Sequence, residues 1–561
     1  MIDFSNIFYE IAIILAIATG VGFFALRLRQ PLIIAFIIVG IFVGPAGINI
    51  VNANEQLELF AELGIALLLF VVGLKLDPHE IQAVGPVALT TGIGQILITG
   101  SLGYLIAVAL GLNLISAFYV GVALTFSSTI IIVKLLSDRR EIDALHGRIA
   151  LGILIVQDIV VVLVMIAMSA FTENSDRGLA QELIMVLLKG SLFLACVALI
   201  TRYLFPKLLP ALAQSTELLL IFAISWAVAL AALGDALGFS QEVGAFLAGV
   251  SLAATPYRTD LGARLVSLRD FLLLFFFINL GLHIDVAHLG DEILPALILS
   301  AFVLLGKPLM VMVLIGLMGH HKYTSVITSL SLGQISEFSL ILATLGVSLG
   351  QITEETLGLI TLIGIITMAV STYMIIDSHL LYDFLSPYLA WINRLNSTFK
   401  KQQDELTLFS HTEVDIIVFG LGRYGGNLLQ YLSQQQFSIV GIDFDPELVQ
   451  SWRKQGILAF YGDAEDPEFA ATLPLNQAKW VVSTLPGERV GIALLRTLKQ
   501  LQFQGKIALT SHSVEEKLIL QKEGADLVLL PFNDAAKEAA QTLVELTACQ
   551  TEPSGYTNNQ N

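Results

Sequence analysis

Apolar runs, most of them about 17–25 residues long, recur from the N-terminus to Asp377, and that length is what an α-helix needs to cross roughly 30 Å of hydrocarbon. Thirteen spans are expected, near residues 7–26, 31–45, 59–76, 85–110, 114–136, 145–171, 183–209, 218–233, 239–254, 263–282, 294–318, 325–349 and 357–376. Composition agrees: 55% of the 561 residues are hydrophobic and only 14% charged, which excludes an ordinary soluble enzyme and a disordered chain. The charge is also unevenly placed, because the last 182 residues hold 35 of the 77 charged side chains. The expected fold class is therefore an α-helical polytopic membrane protein followed by a more polar domain.

A formal net charge of −17 without a basic arm argues against nucleic acid as a partner, since phosphate backbones are held by clustered Lys and Arg. Cys196 and Cys549 are too few for a disulfide framework or a thiolate metal site. The first apolar stretch follows Asp3 rather than a basic segment and reads as a retained span. Loop charges test the count, because Lys and Arg concentrate on the cytoplasmic side. With the N-terminus outside, Arg27, Arg29, Lys75, Lys134, Arg139, Arg140, Arg148, Arg202, Lys207, Arg258, Arg264, Arg269 and Lys322 fall on the cytoplasmic side, and only Arg177 falls opposite. The C-terminus is then expected to be cytoplasmic.

Domain boundaries follow from the change of pattern. Residues 1–379 form the membrane domain, 380–413 a linker, 414–548 a second domain and 549–561 a loose tail. Within the second domain Asp415–Phe419 reads as a buried strand, 420–425 as a turn, 427–434 as a helix and 438–442 as a second strand. Further strand-like runs at 458–461, 480–484, 507–511 and 527–530 alternate with helical segments, as in a doubly wound α/β domain.

Charges inside apolar runs cost about 2.5–3.5 kcal/mol each on insertion scales and mark functional groups or interhelical pairs. Glu62, Asp158, Glu242, Lys307 and Glu337 are such residues, with Lys189 as a further case. Asp158, preceded by Gln157 and flanked by apolar residues, is the sharpest. Either a proton or a cation can neutralise a carboxylate held there, and the two compete. An interhelical ion pair is the other reading. Glu242 and Glu337 either stand behind the site or line a cytoplasmic funnel, with a solvated position near a helix end the other reading of Glu242, and Lys189 and Glu62 each read as making a helix-to-helix pair rather than a transport contact. Two spans look interrupted, at Thr125-Phe-Ser127-Ser128-Thr129 and at Gly333-Gln334-Ile-Ser-Glu337. Freed backbone groups at mid-depth must be satisfied inside protein or around an ion, and two such breaks in oppositely directed helices suit an alternating-access transporter with inverted repeats. Close packing through small polar residues is the alternative. Thr90-Thr-Gly-Ile-Gly94 has the spacing of a potassium-channel filter but lies inside a long apolar run, where its glycines suit helix packing.

In the second domain Gly420, Gly422 and Gly425 follow a strand and open a helix, the arrangement that brings a pyrophosphate to a helix N-terminus. Asp443 ends the next strand, where a carboxylate binds ribose hydroxyls. Arg423 is placed to neutralise phosphate. No acid–base pair stands out, so regulation fits better than a dehydrogenase. A turn that binds nothing is the remaining reading.

The chain resembles the monovalent cation:proton antiporter-2 family, which includes Kef-type potassium efflux systems and NapA-type sodium/proton antiporters. The resemblance rests on Pro31–Gly40 with Gly44-Pro45, Leu67–Gly73, Ser127-Ser128-Thr129, Gln157-Asp158, Gly244–Gly249, Phe275–Gly281 and Gln334–Phe338, in that order. It implies that Asp158 is the transport carboxylate and binds the transported cation, with Ser128 and the other residues of the two breaks around it. Gln157 stands where sodium/proton members carry Asn or Asp, which leaves the family lysine, Lys307 of Gly306-Lys-Pro308, without its usual carboxylate. One proton per cation is the simplest cycle for such a pair, and the pair looks more like Kef-type proteins, which favours K⁺ over Na⁺. The second domain resembles RCK/KTN (TrkA-N) regulators, which implies a regulatory nucleotide, AMP/ATP or NAD(H), with Asp443 on the ribose and Asp463 near the adenine. Such domains dimerise, so a homodimer is expected. The expected function is a monovalent cation:proton antiporter, with an RCK-regulated potassium channel-like efflux protein as the alternative.

Overall fold

The computed structural model describes residues 7–48, 55–75, 85–139, 141–142, 144–170, 179–237, 239–283, 289–389, 392, 414–435, 437–485 and 487–549. Of the expected linker only 380–389 and 392 fall within them, and of the tail only Cys549, while Arg177 lies outside. The chain forms two compact units, one of residues 1–318 with 325–389 and one of 319–324 with 390–561.

The first unit is helical. Among the described residues nine helices are long and apolar enough to cross a membrane: Phe8–Arg27, Gln56–Leu74, Pro86–Ala109, Leu145–Ser169, Lys189–Leu212, Thr216–Ala236, Arg258–Leu282, Glu292–Leu317 and Glu354–Ile376. The other four expected spans fall on shorter pieces of 10 to 13 residues. Leu32–Val43 and Gln241–Ala253 each cover one. The remaining two are split, into Leu114–Ala123 with Thr129–Asp138 and into Lys322–Ser331 with Glu337–Ser348. A hydropathy window averages across such breaks, so the sequence shows one run where the backbone forms two half-helices.

Several glycines of the sequence motifs pack against each other. A Cβ on Gly40 would lie 2.1 Å from the Ile278 carbonyl oxygen, and one on Gly281 2.3 Å from that of Ile37. Gly73 and Gly249 make the same close approach, with 2.5 Å to Phe246 O and 2.1 Å to Phe70 O. Lipid offers no hydrophobic drive between helices, so tight backbone contact at small residues is what binds Leu32–Val43 to Arg258–Leu282, and Glu55–Lys75 to Gln241–Ala253. Gly92, in the filter-like segment, sits within the unbroken helix Pro86–Ala109, where a Cβ would meet Val156 at 2.9 Å. That segment is helix packing.

The second unit carries a six-stranded parallel sheet in the order β3-β2-β1-β4-β5-β6, with β1 Ile416–Phe419, β2 Ile439–Asp443, β3 Leu458–Tyr461, β4 Trp480–Ser483, β5 Lys506–Thr510 and β6 Leu527–Leu529. Helices alternate with the strands, as parallel pairing requires. The order reverses between β1 and β4, and ligands of open α/β sheets bind at such a point, beyond the carboxyl ends of the strands. Residues 319–324 belong to this unit: His320 Nδ1 lies 2.9 Å from the Tyr461 hydroxyl and His321 Nδ1 3.0 Å from Asp466 Oδ2. Burial and the neighbouring His321 push the His320 imidazole down to about 4.

Candidate functional site

The two breaks face each other within the first unit. Half-helix Leu114–Ala123 ends at Leu124 and the next begins at Thr129, capped by Ser128, whose hydroxyl accepts from the Ile131 amide at 3.3 Å. In the second break Ser336 caps Glu337–Ser348 in a capping box with Ser339. The breaks are joined directly: Ser127 Oγ donates to Leu332 O at 3.0 Å and Ser339 Oγ to Ala123 O at 2.6 Å.

Lys307 holds both. Its ammonium donates to Phe126 O at 3.2 Å and Gln334 O at 3.0 Å, one carbonyl from each break, and the residue has no solvent exposure. The absence of a carboxylate at position 157 thus does not strand the lysine, because backbone carbonyls take the carboxylate's place. Local sequence aims it there. Pro308 lacks an amide hydrogen, and the turn ahead of it, Phe302–Gly306, widens to a π-helix. A cation at the carbonyl ends of two half-helices also opposes their negative dipole ends.

On the other side of the first break stands Asp158. The Thr129 hydroxyl lies 3.2 and 3.1 Å from its two carboxylate oxygens, at the first residue of a half-helix, where the positive dipole end favours an anion. Asp158 is half-buried, unlike the fully enclosed Gln157. Gln157 Oε1 accepts from the Ser127 amide at 2.8 Å, and its Nε2 donates to Gln95 Oε1 at 2.7 Å. Gln95 passes the chain on to Thr125 O at 2.9 Å and Thr99 Oγ1 at 3.2 Å. Position 157 therefore serves the backbone of the break, and an amide suits it because it both accepts and donates. Gln334 is buried in the second break and accepts from the Ser371 hydroxyl at 2.6 Å. Glu337 is buried at the start of its half-helix.

A cavity of about 750 Å³ within this unit is lined by Arg29, Lys134, Asp138, Arg139, Asp270 and, among buried residues, Glu337. A second, of about 410 Å³, is lined by Glu58, Glu62, Asp235, Glu242 and Glu354. Glu62 thus sits among other carboxylates, and Lys189 donates to the Leu237 carbonyl at 3.0 Å, a contact between two helices.

Gln95 escaped the reading of the sequence, though a buried amide in an apolar run was the available signal. So did Glu141, a buried carboxylate 3.4 Å from Arg139, 3.5 Å from His146 and 3.1 Å from His379. Arg139 also donates to Ser378 at 3.0 Å. Burial alone would raise the Glu141 carboxyl, but hydrogen bonds from His146 and His379 and the Arg139 charge outweigh it and hold the group well below its usual value. A lowered folded-state value means that the charged carboxylate stabilises the fold above the unfolded value of about 4.5, and that this contribution is lost as the pH falls below it. Thermal unfolding in detergent is therefore expected to show a steeper acid limb for the wild type than for Glu141→Gln, and parallel curves would exclude the linkage.

In the second unit Gly420 adopts a φ of +87°, and Gly422 caps helix Arg423–Gln434. A Cβ on Gly425 would come within 1.9 Å of the Gly420 carbonyl oxygen, so only glycine permits this turn. Asp443 ends β2 and accepts from the amides of Leu421 at 2.6 Å and Asp445 at 2.8 Å, which ties the acidic side chain to the glycine turn. Burial pushes its carboxyl up, and those amides only partly offset the shift. Asp463 is buried beyond β3, accepting from the Glu465 amide at 3.0 Å. Arg423 is exposed beside the turn. These residues collect at the carboxyl ends of β1, β2 and β3.

Residues 12–376 match the family model "Sodium/hydrogen exchanger, transmembrane", and residues 416–531 match the TrkA-N domain. The chain is 28% identical over 555 residues to a putative cation/proton antiporter, YbaL, of Escherichia coli K12, covering 96% of this chain and 97% of the relative. It is 26% identical over 504 residues to the glutathione-regulated potassium-efflux system protein KefC of Escherichia coli O45:K1, covering 90% and 79% respectively. The sodium proton antiporter MjNhaP1 of Methanocaldococcus jannaschii aligns with 69% of this chain and 97% of its own, at 19% identity and a TM-score of 0.47. With nearly two-thirds of its length matched by one family and its last domain by another, the chain belongs to the sodium/hydrogen exchanger family and carries a C-terminal TrkA-N domain.

Proposed function

We propose that this protein exchanges a monovalent cation, K⁺ or Na⁺, for protons by alternating access, with Asp158 as the group for which the two compete. The observation that carries this reading is the placement of a half-buried carboxylate on Thr129, at the N-terminus of a half-helix whose break is stapled by Lys307. Ser127, Ser128 and Thr125 shape that break, Gln157 holds its backbone, and in its counterpart the Gln334 side chain is fixed by the Ser371 hydroxyl. The Arg29, Lys134 and Arg139 side of the larger cavity is the cytoplasmic one by the distribution of loop charges, which puts the N-terminus outside and the TrkA-N domain inside. One carboxylate exchanging one proton for one cation makes the cycle electroneutral. Reconstituted into proteoliposomes with a preset pH gradient, the protein is expected to dissipate it on addition of K⁺ or Na⁺ without creating a membrane potential. Large unitary currents instead would support the channel reading.

The TrkA-N domain binds a regulatory nucleotide, AMP/ATP or NAD(H), with phosphates over Gly420–Gly425 near Arg423, ribose at Asp443 and the adenine side toward Asp463. It works as a homodimer. Support comes from the glycine turn, from the tie between Asp443 and Leu421, and from the strand order, since β1, which leads into the glycine turn, borders the reversal of the sheet. Gly425→Ala in the full-length protein should abolish saturable nucleotide binding measured by calorimetry, because the added methyl group displaces the Gly420 carbonyl. Undiminished binding would remove this turn from the site.

A further inference from the structure

Each break presents one carboxylate at the start of its second half-helix, and only one of them is absorbed by the exchange reading. Asp158 lies on Thr129, the first residue of Thr129–Asp138. Glu337 is itself the first residue of Glu337–Ser348, following its cap Ser336. The Ser336 hydroxyl donates to Glu337 Oε2 at 3.3 Å, and Ser128, the cap of the opposite half-helix, lies close enough to act on the same carboxylate. Ser128 and Thr129 are adjacent, so one dipeptide bonds Asp158 and stands beside Glu337.

Glu337 is 1% exposed, yet it lines the larger cavity, and its Oε1 is buried with no hydrogen-bond partner among the described residues. A buried carboxylate oxygen left unpaired is costly unless a proton or a cation occupies it. The charges facing it do not remove that cost by direct pairing. Arg269 acts on it electrostatically but is itself bound to Asp270 at 2.7 Å, while Lys134, Asp138, Arg139 and Arg29 stand along the cavity wall.

We propose that Glu337 is a second ion-binding carboxylate, which receives the monovalent cation or the proton from the cavity and passes it across Ser128–Thr129 to Asp158. Its ligands for a dehydrated cation are Oε1 and the hydroxyls of Ser128 and Ser336, an all-oxygen set suited to an alkali cation. This inference rests on the antiport reading and adds an entry site to it. The stoichiometry is unchanged, since one ion occupies the two carboxylates in turn.

The test is the cation dependence of exchange in proteoliposomes. Glu337→Gln keeps the size of the side chain and removes its charge, and it should raise the half-saturating K⁺ or Na⁺ concentration by about tenfold or more, as the loss of one charged ligand does. It should also displace the pH profile of exchange, while the maximal rate changes less. Glu337→Asp should restore part of the affinity. If Glu337→Gln does not fold, Glu337→Asp and Ser336→Ala carry the test, each expected to raise the half-saturating concentration. Folded variants with wild-type cation affinity and pH profile would overturn the proposal. Exchange that survives Asp158→Asn would instead overturn the antiport reading itself, so the two failures are separable.

Discussion

Asp158→Asn is expected to reduce cation-dependent dissipation of a pH gradient to the level of empty liposomes, for every alkali cation tested. The amide keeps the size of the carboxylate and still offers an oxygen to the Thr129 hydroxyl, so the half-helix Thr129–Asp138 and the crossing should survive. What disappears is the negative charge. Without it position 158 holds no proton and offers no anion to repay a desolvated cation's lost hydration, so an ion that reaches Glu337 has nowhere to be passed on. Because competition for one group is what couples the two ions, the variant should lose exchange in both directions while keeping a thermal midpoint in detergent close to that of the wild type. A channel would respond differently, since conduction past the crossing does not require a titrating group. Exchange at wild-type rates in a correctly folded Asp158→Asn protein would sink the mechanism.

The same residue shows why much of the site could be read from the chain. A charge or a cluster of hydroxyl and amide groups in an apolar run is conspicuous because its burial is expensive, and Asp158, Ser127-Ser128-Thr129, Gln334 and Glu337 were all visible on that ground. Strand positions in the second unit were visible for a related reason. Largely buried parallel strands read as short apolar runs between turn signals, so 458–461 coincides with β3 and the others differ by one residue at one or both ends. Partnerships were harder to see. Gln95 lies 62 residues from Gln157 in a helix that looks like packing alone, and only the fold brings the two amides within 2.7 Å. Lys307 was known as a buried cation, but its acceptors are carbonyls, which every residue carries and which sequence cannot single out. Glu141, His146 and His379 come from a loop, a helix start and a distant terminal helix, an arrangement set by tertiary packing.

Lys307 carries the other large prediction. Lys307→Met, nearly equal in length, retains most of the packing but leaves the carbonyls of Phe126 and Gln334 without donors where water does not reach. Each orphaned acceptor costs about 1–3 kcal/mol, so the pair is worth roughly 2–6 kcal/mol. Lys307→Ala adds an unfilled cavity, for which a further 2–5 kcal/mol is the usual range for a long side chain cut back to alanine. Both variants should lower the thermal midpoint in detergent, alanine more than methionine, and both should lose exchange. The two losses have one cause, because the ammonium bonds one carbonyl from each break, and a crossing that relaxes also moves Ser128 and Thr129 away from Asp158. Lys307→Arg separates geometry from charge: it keeps the donors and the cation, but its planar fork does not match two carbonyls served by one nitrogen, so intermediate stability with reduced exchange is expected. If Lys307→Met instead unfolds at the wild-type temperature and still exchanges, the two half-helix pairs are held together by Ser127, Ser339 and their packing alone, and the lysine has some other task.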